Sequence, residues 1–218
     1  LMYSANESAD EEEQLSGGEV ALSLVVALGL FVLLFIVLPN VIVTFIQKRI
    51  SSVILVNLIE GALRVAIFIV YLVAISQMRD IQRVFAYHGA EHKTIAAWEA
   101  GEALTVDNAR RHGTAHARCG TNFLLIVMLV SVLIYSLLGR QGLVERIVTR
   151  ILLLPVLAGV SYELLKIAGR PDPSPIVKWA RAPGLALQRL TTREPDDSML
   201  EVAIVSLQAV IEKDEAVN

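Results

Sequence analysis

Apolar residues gather along this 218-residue chain in four long blocks. Residues 20–46 carry no charge at all, a run longer than the ~20 residues needed to cross a bilayer. Residues 53–75 form a second block, interrupted by Asn57, Glu60 and Arg64. Residues 123–138 form a third, somewhat short one, and residues 147–168 a fourth that contains Arg150, Pro155, Glu163 and Lys166. The pattern predicts an all-α fold: a polytopic helical membrane protein of about four transmembrane helices. Its domains are an acidic arm (1–18), a four-helix membrane domain (19–168) that includes a cytoplasmic loop (77–120), and a cytoplasmic helical tail (169–218).

Punctuation refines the elements. Ser16 and Glu19 have capping-box spacing and predict the start of the first helix; Pro39 predicts a kink or an end near its far side. Nothing before Gly89 interrupts the second block, so it is expected to continue as one helix through residues 77–99. A turn at 101–105 should lead, with Thr105 or Asp107 as cap, into a short basic helix. The proline-rich segment 169–175 ends the fourth span as a stiff connector. Two amphipathic helices follow, over about residues 176–190 and 198–213, the second with a capping-box spacing at Ser198 and Glu201. No internal repeat is present.

Composition agrees with the pattern: 55% of residues are hydrophobic, 19% charged, and the mean hydropathy is +0.59. The first span is not a cleavable signal peptide, because its flank is acidic (Glu7, Asp10–Glu13) and its apolar core too long. Arginine and lysine crowd the loop between spans two and three (Arg79, Arg83, Lys93, Arg110, Arg111, Arg118) and the tail, whereas the opposite loops hold Lys48, Arg49, Arg140 and Arg146. By the positive-inside bias both termini and the 77–120 loop should be cytoplasmic. A net charge of −3 gives no argument for nucleic-acid binding.

The chemistry is concentrated in that loop. All four histidines fall within residues 88–116, as pairs spaced i, i+4: His88 with His92, and His112 with His116. The single cysteine, Cys119, follows three residues later, so no internal disulfide can form and the choice lies between a free thiol and a metal ligand. On a helix His88, His92 and Glu99 share one stripe with Glu91 at its edge, although Ile95 separates Glu99 from the pair by a turn. His112, His116 and Cys119 could form a second stripe. Zinc is held by about four N, S and O ligands, with one position left to water in catalytic sites. The order H-x-x-E-H is that of inverted zinc peptidases, in which both histidines bind metal and the glutamate activates water. A solvated loop with surface histidines is the competing reading, and a small buried hydrophobe is the competing role of Cys119. Helix rise sets a constraint: a straight helix would carry His88 about 20 Å beyond Ile75, while Cys119 abuts span three. The two sets meet only if the helix bends after Ile75 or span three begins well below the membrane surface, which puts the site at the cytoplasmic membrane face.

Within the spans, Glu60 and Arg64 are four apart and able to pair; unpaired, each would cost about 2.5–3.5 kcal/mol on an insertion scale. Glu163 is expected to neutralise Arg64, with distal metal ligation as the other option.

Five segments carry a resemblance: residues 87–95 (YHGAEHKTI), 118–121 (RCGT), 158–163 (AGVSYE), 183–185 (PGL) and 190–204 (LTTREPDDSMLEVAI). In these the chain resembles the YqhQ family, bacterial membrane proteins predicted to be metal-dependent enzymes. Carried over by position, the resemblance implies His88, Glu91, His92, Glu99, His116, Arg118, Cys119 and Glu163 as the pattern, and leaves His112 out of it. His116 often precedes a proline in the family, where this chain has Ala117. The family also has a glycine-rich soluble segment upstream of residues 1–6, so the chain is expected to be truncated.

The leading expectation is a membrane-anchored metal-dependent hydrolase with a divalent, zinc-type ion on His88, His92 and His116, completed by Glu99 or Cys119. Glu91 would act as general base and Arg118 as oxyanion stabiliser. A non-enzymatic metal-binding scaffold is the alternative, recruiting a cytoplasmic partner through the polar stretch within 190–204. A transporter along Glu60, Arg64 and Glu163 ranks last, since four spans make a pore only as a homo-oligomer.

Overall fold

The computed structural model describes residues 16–139, 141–170 and 174–217. Most of the acidic arm (1–15), Arg140 and residues 171–173 of the proline connector lie outside the described residues. Among those described, the chain is all-helical, with no strand. The helices are α1 (Gly17–Ile46), α2 (Val53–Ile75), α3 (Arg79–Glu99), α4 (Val106–Arg110), α5 (Gly120–Ser136), α6 (Leu143–Ala168), α7 (Pro175–Thr191) and α8 (Asp197–Val217). Helices α1, α2 and α6 are long and apolar enough to cross a membrane, and α5 is an apolar helix of 17 residues, the lower limit for a span. The most apolar stretch of α1 buries none of its residues against the rest of the chain, a surface suited to lipid rather than water.

Ser16 and Glu19 form the expected capping box: each side chain accepts the other's backbone N–H, at 3.3 and 2.8 Å. Helix α1 does not end at Pro39. It widens into a π-helical turn at Leu33–Val37 and then runs on to Ile46. Proline has no N–H to donate and its ring crowds the carbonyl four residues back, so a widened turn just before it relieves the conflict.

The bundle is stitched by polar groups as well as hydrocarbon. Gly61 lets Val132 of α5 lie directly on α2, where any Cβ would strike it, the close approach that small residues allow between membrane helices. Glu60 pairs with Arg64 as expected, at 2.7 Å, and also takes Arg150 of α6 at 2.7 Å. Both guanidiniums lie near the Tyr135 ring, Arg150 at 4.4 Å from its centroid and Arg64 at 5.5 Å. Asn57 donates to the Tyr135 carbonyl at 2.9 Å, and buried Arg146 donates to Gln47 at 2.6 Å. Glu163 does not neutralise Arg64; it forms a surface pair with Lys166 at 3.3 Å, is 63% exposed, and is not among the clustered ligand atoms of His88, His92 and Cys119. Arg150 marks the depth of Arg64, and thirteen further residues along α6 put Glu163 about 20 Å away.

Two other expectations are corrected. The second span does not continue through 77–99: α2 stops at Ile75 and α3 starts afresh at Arg79. Ser76 turns its hydroxyl back onto the Val73 carbonyl at 2.8 Å, Met78 is extended, and Gln82 donates to the Ser76 carbonyl at 3.1 Å, which fixes the corner. The last helix is capped by Asp196, whose carboxylate accepts the Met199 N–H at 3.0 Å, rather than by Ser198. Beyond the corner, α3, α4 and α8 pack around Ala90, Ala109, Leu200 and Ile204.

Candidate metal centre

The corner after Ile75 swings α3 so that one of its faces meets the start of α5 and the end of α7. His88 and His92, one turn apart, meet edge to face with ring centroids 4.3 Å apart. Between them Gly89 has no side chain because the chain crosses there: a Cβ would overlap the Arg193 carbonyl. That crossing is anchored by the Arg193 N–H donating to the Phe85 carbonyl at 2.9 Å. Buried Lys93 ties it from the other side, pairing with Glu194 at 2.6 Å and donating to the Arg110 carbonyl at 3.1 Å. The result is that the Thr191 carbonyl stands 2.8 Å from His88 Nδ1.

The second wall is the loop before α5. Fully buried Gln188 holds it by both amide atoms, accepting the His116 N–H and donating to the His116 carbonyl, each at 2.8 Å. Asn122 donates to the Ala117 carbonyl at 2.9 Å, and Gly184 of α7 leaves the space that Asn122 fills. So held, the loop brings the Thr114 carbonyl to 2.6 Å from His92 Nδ1. Its last residue, Cys119, caps the N-terminus of α5 and is 6% exposed.

These supports gather three donor atoms. His88 Nε2 is 3.2 Å from Cys119 Sγ, and ligand atoms of His88, His92 and Cys119 all lie within 4.8 Å of one another. A backbone carbonyl can only accept, so each histidine carries a proton on Nδ1 and turns Nε2, the atom able to ligate, to the other side. This is how metal-binding histidines are oriented. Burial pushes the Cys119 thiol up, but hydrogen bonds with His88, His92 and Thr121 outweigh it and bring the pKa down to about 5. His88 is raised, chiefly by its bond to Cys119, against burial and with help from the Thr191 carbonyl and the charge of Glu91. Two imidazole nitrogens and a thiolate fit a zinc-type divalent ion, with a fourth position left over.

The other expected residues lie around this set. His116 is adjacent, its ring centroid 5.7 Å from that of His92, but Nε2 faces Glu99 at 3.2 Å and Nδ1 accepts the Arg118 N–H at 3.4 Å. Glu99 thus meets His116 rather than the His88 pair. Arg118 donates to Glu99 at 3.1 Å and to the Gly169 carbonyl at 3.2 and 3.3 Å, joining the site to the end of α6. Glu91 is exposed on α3 beside His88. His112 lies apart, 3.3 Å from Glu102.

Sequence reasoning missed Gln188, Asn122 and the carbonyls of Thr114 and Thr191; carbonyls leave no trace in a sequence. Gly89 did leave one, since glycine inside a helix costs about 1 kcal/mol relative to alanine and invites a packing reason. The polar stretch of the tail is spent inside the chain: Thr191 on His88, Glu194 on Lys93, Asp196 on the α8 cap and Asp197 on Arg110 at 2.6 Å.

Comparison with known proteins gives the family. A family profile described as "Protein of unknown function (DUF1385)" matches residues 1–213. The "Uncharacterized protein YqhQ" of Bacillus subtilis (strain 168) is 35% identical over 214 residues, covering 95% of this chain and 67% of that protein. No solved structure matches. The chain belongs to the DUF1385 family, to which the resemblance to YqhQ pointed.

Proposed function

We propose that this protein is a membrane-anchored metal-dependent hydrolase whose zinc-type ion is held by His88, His92 and Cys119 at the cytoplasmic membrane surface. One observation carries the reading: both histidines give Nδ1 to backbone carbonyls and turn their other nitrogens towards a thiol already biased to thiolate. When bound, such an ion acts as a Lewis acid and lowers the pKa of a coordinated water towards ~7. The chain's own groups do the rest. Glu91, exposed beside His88, takes up a proton. His116 and Glu99, hydrogen-bonded to each other, hold a second proton position next to the ligands. Arg118 keeps a half-exposed guanidinium at the edge of the site, where negative charge developing on a substrate would lie. The lysine and arginine bias of the 77–120 loop supports the cytoplasmic side.

Metal analysis of the purified full chain tests this. One equivalent is expected, lost in Cys119→Ser and in the His88→Ala/His92→Ala double variant. No stoichiometric metal, or metal undiminished in the double variant, sinks the idea. Glu91→Gln then separates an enzyme from a metal-binding module. With metal retained, an enzyme fails to complement a strain lacking the protein, whereas a binding module still succeeds.

A second reading rests on the same 3.2 Å contact between Cys119 Sγ and His88 Nε2. A thiolate at a helix N-terminus beside a raised histidine is the arrangement of a cysteine nucleophile. It predicts metal-free protein, full complementation after chelation, and complete loss of function in Cys119→Ser.

A further inference from the structure

The ionic cluster inside the bundle has more positive charge than its partners consume. The guanidiniums of Arg64 and Arg150 share one carboxylate, Glu60, while Arg146, one turn before Arg150, donates to the neutral Gln47; no other carboxylate among the described residues pairs with the three. Arg150 is 5% exposed. The Nε atoms of Arg64 and Arg150 and one terminal nitrogen of Arg146 are buried with no hydrogen-bond partner among the described residues. Buried polar hydrogens without acceptors are rare in finished structures, and charged ones within a membrane mark functional sites by default.

A cavity of about 450 Å³ begins at this cluster, between α1, α2, α5 and α6. Arg64, Arg150, Tyr135 and Ser131 form its polar end, while the rest of its wall is apolar and aromatic, including Phe35 and Tyr71. Its lining residues on α5 run from Leu124 to Tyr135, roughly 16 Å of helix. The volume lies within the usual range for a small-molecule site. The π-helical turn of α1, Leu33–Val37, contributes Leu34, Phe35 and Ile36 to the wall, and such turns recur at functional sites. The remainder of α1 turns outward, so one wall of the cavity borders lipid.

We propose that this cavity binds a single-chain anionic amphiphile, with its acyl chain along α5 and its carboxylate or phosphate on Arg150 and Arg64. The head supplies acceptors to Arg64 and Arg150, which line the polar end, and the chain fills a space that neither water nor a free inorganic anion suits. A cation is disfavoured by the surplus guanidiniums. The site is separate from the histidine–cysteine centre and does not depend on what that centre does.

The test uses the full chain in detergent and palmitate carrying a photoactivatable group near its methyl end, with labelled peptides mapped by mass spectrometry. Label is expected on the cavity-lining segments of α1 and α5, displaced by excess palmitate or lysophosphatidate but not by hexadecanol or inorganic phosphate. The better of the two anionic competitors identifies a carboxylate or a phosphate head. Arg150→Gln should lower labelling about tenfold, the worth of one charge-assisted hydrogen bond, and Arg150→Lys should restore part of it. If Arg150→Gln fails to fold, Ser131→Trp fills the cavity without touching Glu60 and should abolish the label. Equal displacement by hexadecanol, displacement by phosphate alone, or labelling unmoved in Ser131→Trp overturns the proposal.

Discussion

Two polar clusters sit in this protein, and they satisfy their charge in opposite ways. Around His88, His92 and Cys119 almost every supporting group ends on a backbone atom: the Thr191 and Thr114 carbonyls, the Gln188 amide on His116, the Lys93 ammonium on the Arg110 carbonyl. The spare capacity is lone pairs, which is what a metal needs. In the bundle, side chains meet side chains, one carboxylate serves two arginines, and the spare capacity is N–H groups, which is what an anion needs. Backbone support fixes geometry, whereas shared ion pairs fix only charge balance, so the two sites should fail differently.

The largest effect should come from Glu60→Gln. It strands two buried guanidiniums, and removing one partner of a buried pair costs about 3–5 kcal/mol. Reversible unfolding in micelles measures the loss. Adding Arg150→Met should recover part of it, and no recovery would mean that the pair is not the source.

Next is Gly89→Ala, which pushes the Arg193 carbonyl off α3 and carries the Thr191 carbonyl with it. Loss of a group that orients a ligand typically weakens metal binding 10–100-fold, so about that range is expected in a chelator competition. Unchanged affinity would show that His88 needs no carbonyl.

A smaller effect concerns pH. With its pKa lowered to about 5, the metal-free Cys119 thiol is already ionised at pH values where an ordinary thiol, near ~8.5, is not. Alkylation of the chelated protein should hold its rate down to about pH 5 before falling, because only the thiolate reacts. A rate that halves near pH 8 instead would remove the pre-formed thiolate.

The smallest effect is His112→Ala. Its ring touches Glu102 and no ligand, so metal content should be unchanged and stability should move by no more than about 0.5 kcal/mol.

How far the sequence reached follows the same division. The helical spans were legible because hydrocarbon runs of that length have few other uses. The Glu60–Arg64 pair was legible because i, i+4 neighbours need no fold to meet. Arg150, ninety residues from Glu60, was visible only as a charge in a span. Glu163 was misassigned because position along α6, which decides depth, cannot be matched to another helix without the packing. The site was half legible: His88 and His92 are local, and Cys119 stood out as the single cysteine beside the histidines, but the corner at Ser76 that lets them meet depends on a hydroxyl and a glutamine amide with no periodicity to betray them.

The sequence by itself determined the helices, the apolar spans, the family and the set of residues able to bind a metal, since periodicity, hydropathy and local motifs are properties of neighbours along the chain. Tertiary structure alone decided that His88 and His92 join Cys119 while Glu99 joins His116, that the tail's polar stretch serves to aim a histidine, and that Arg150 joins Arg64 on one glutamate. Those outcomes rest on contacts between distant segments and on backbone carbonyls, whose direction no side-chain pattern encodes.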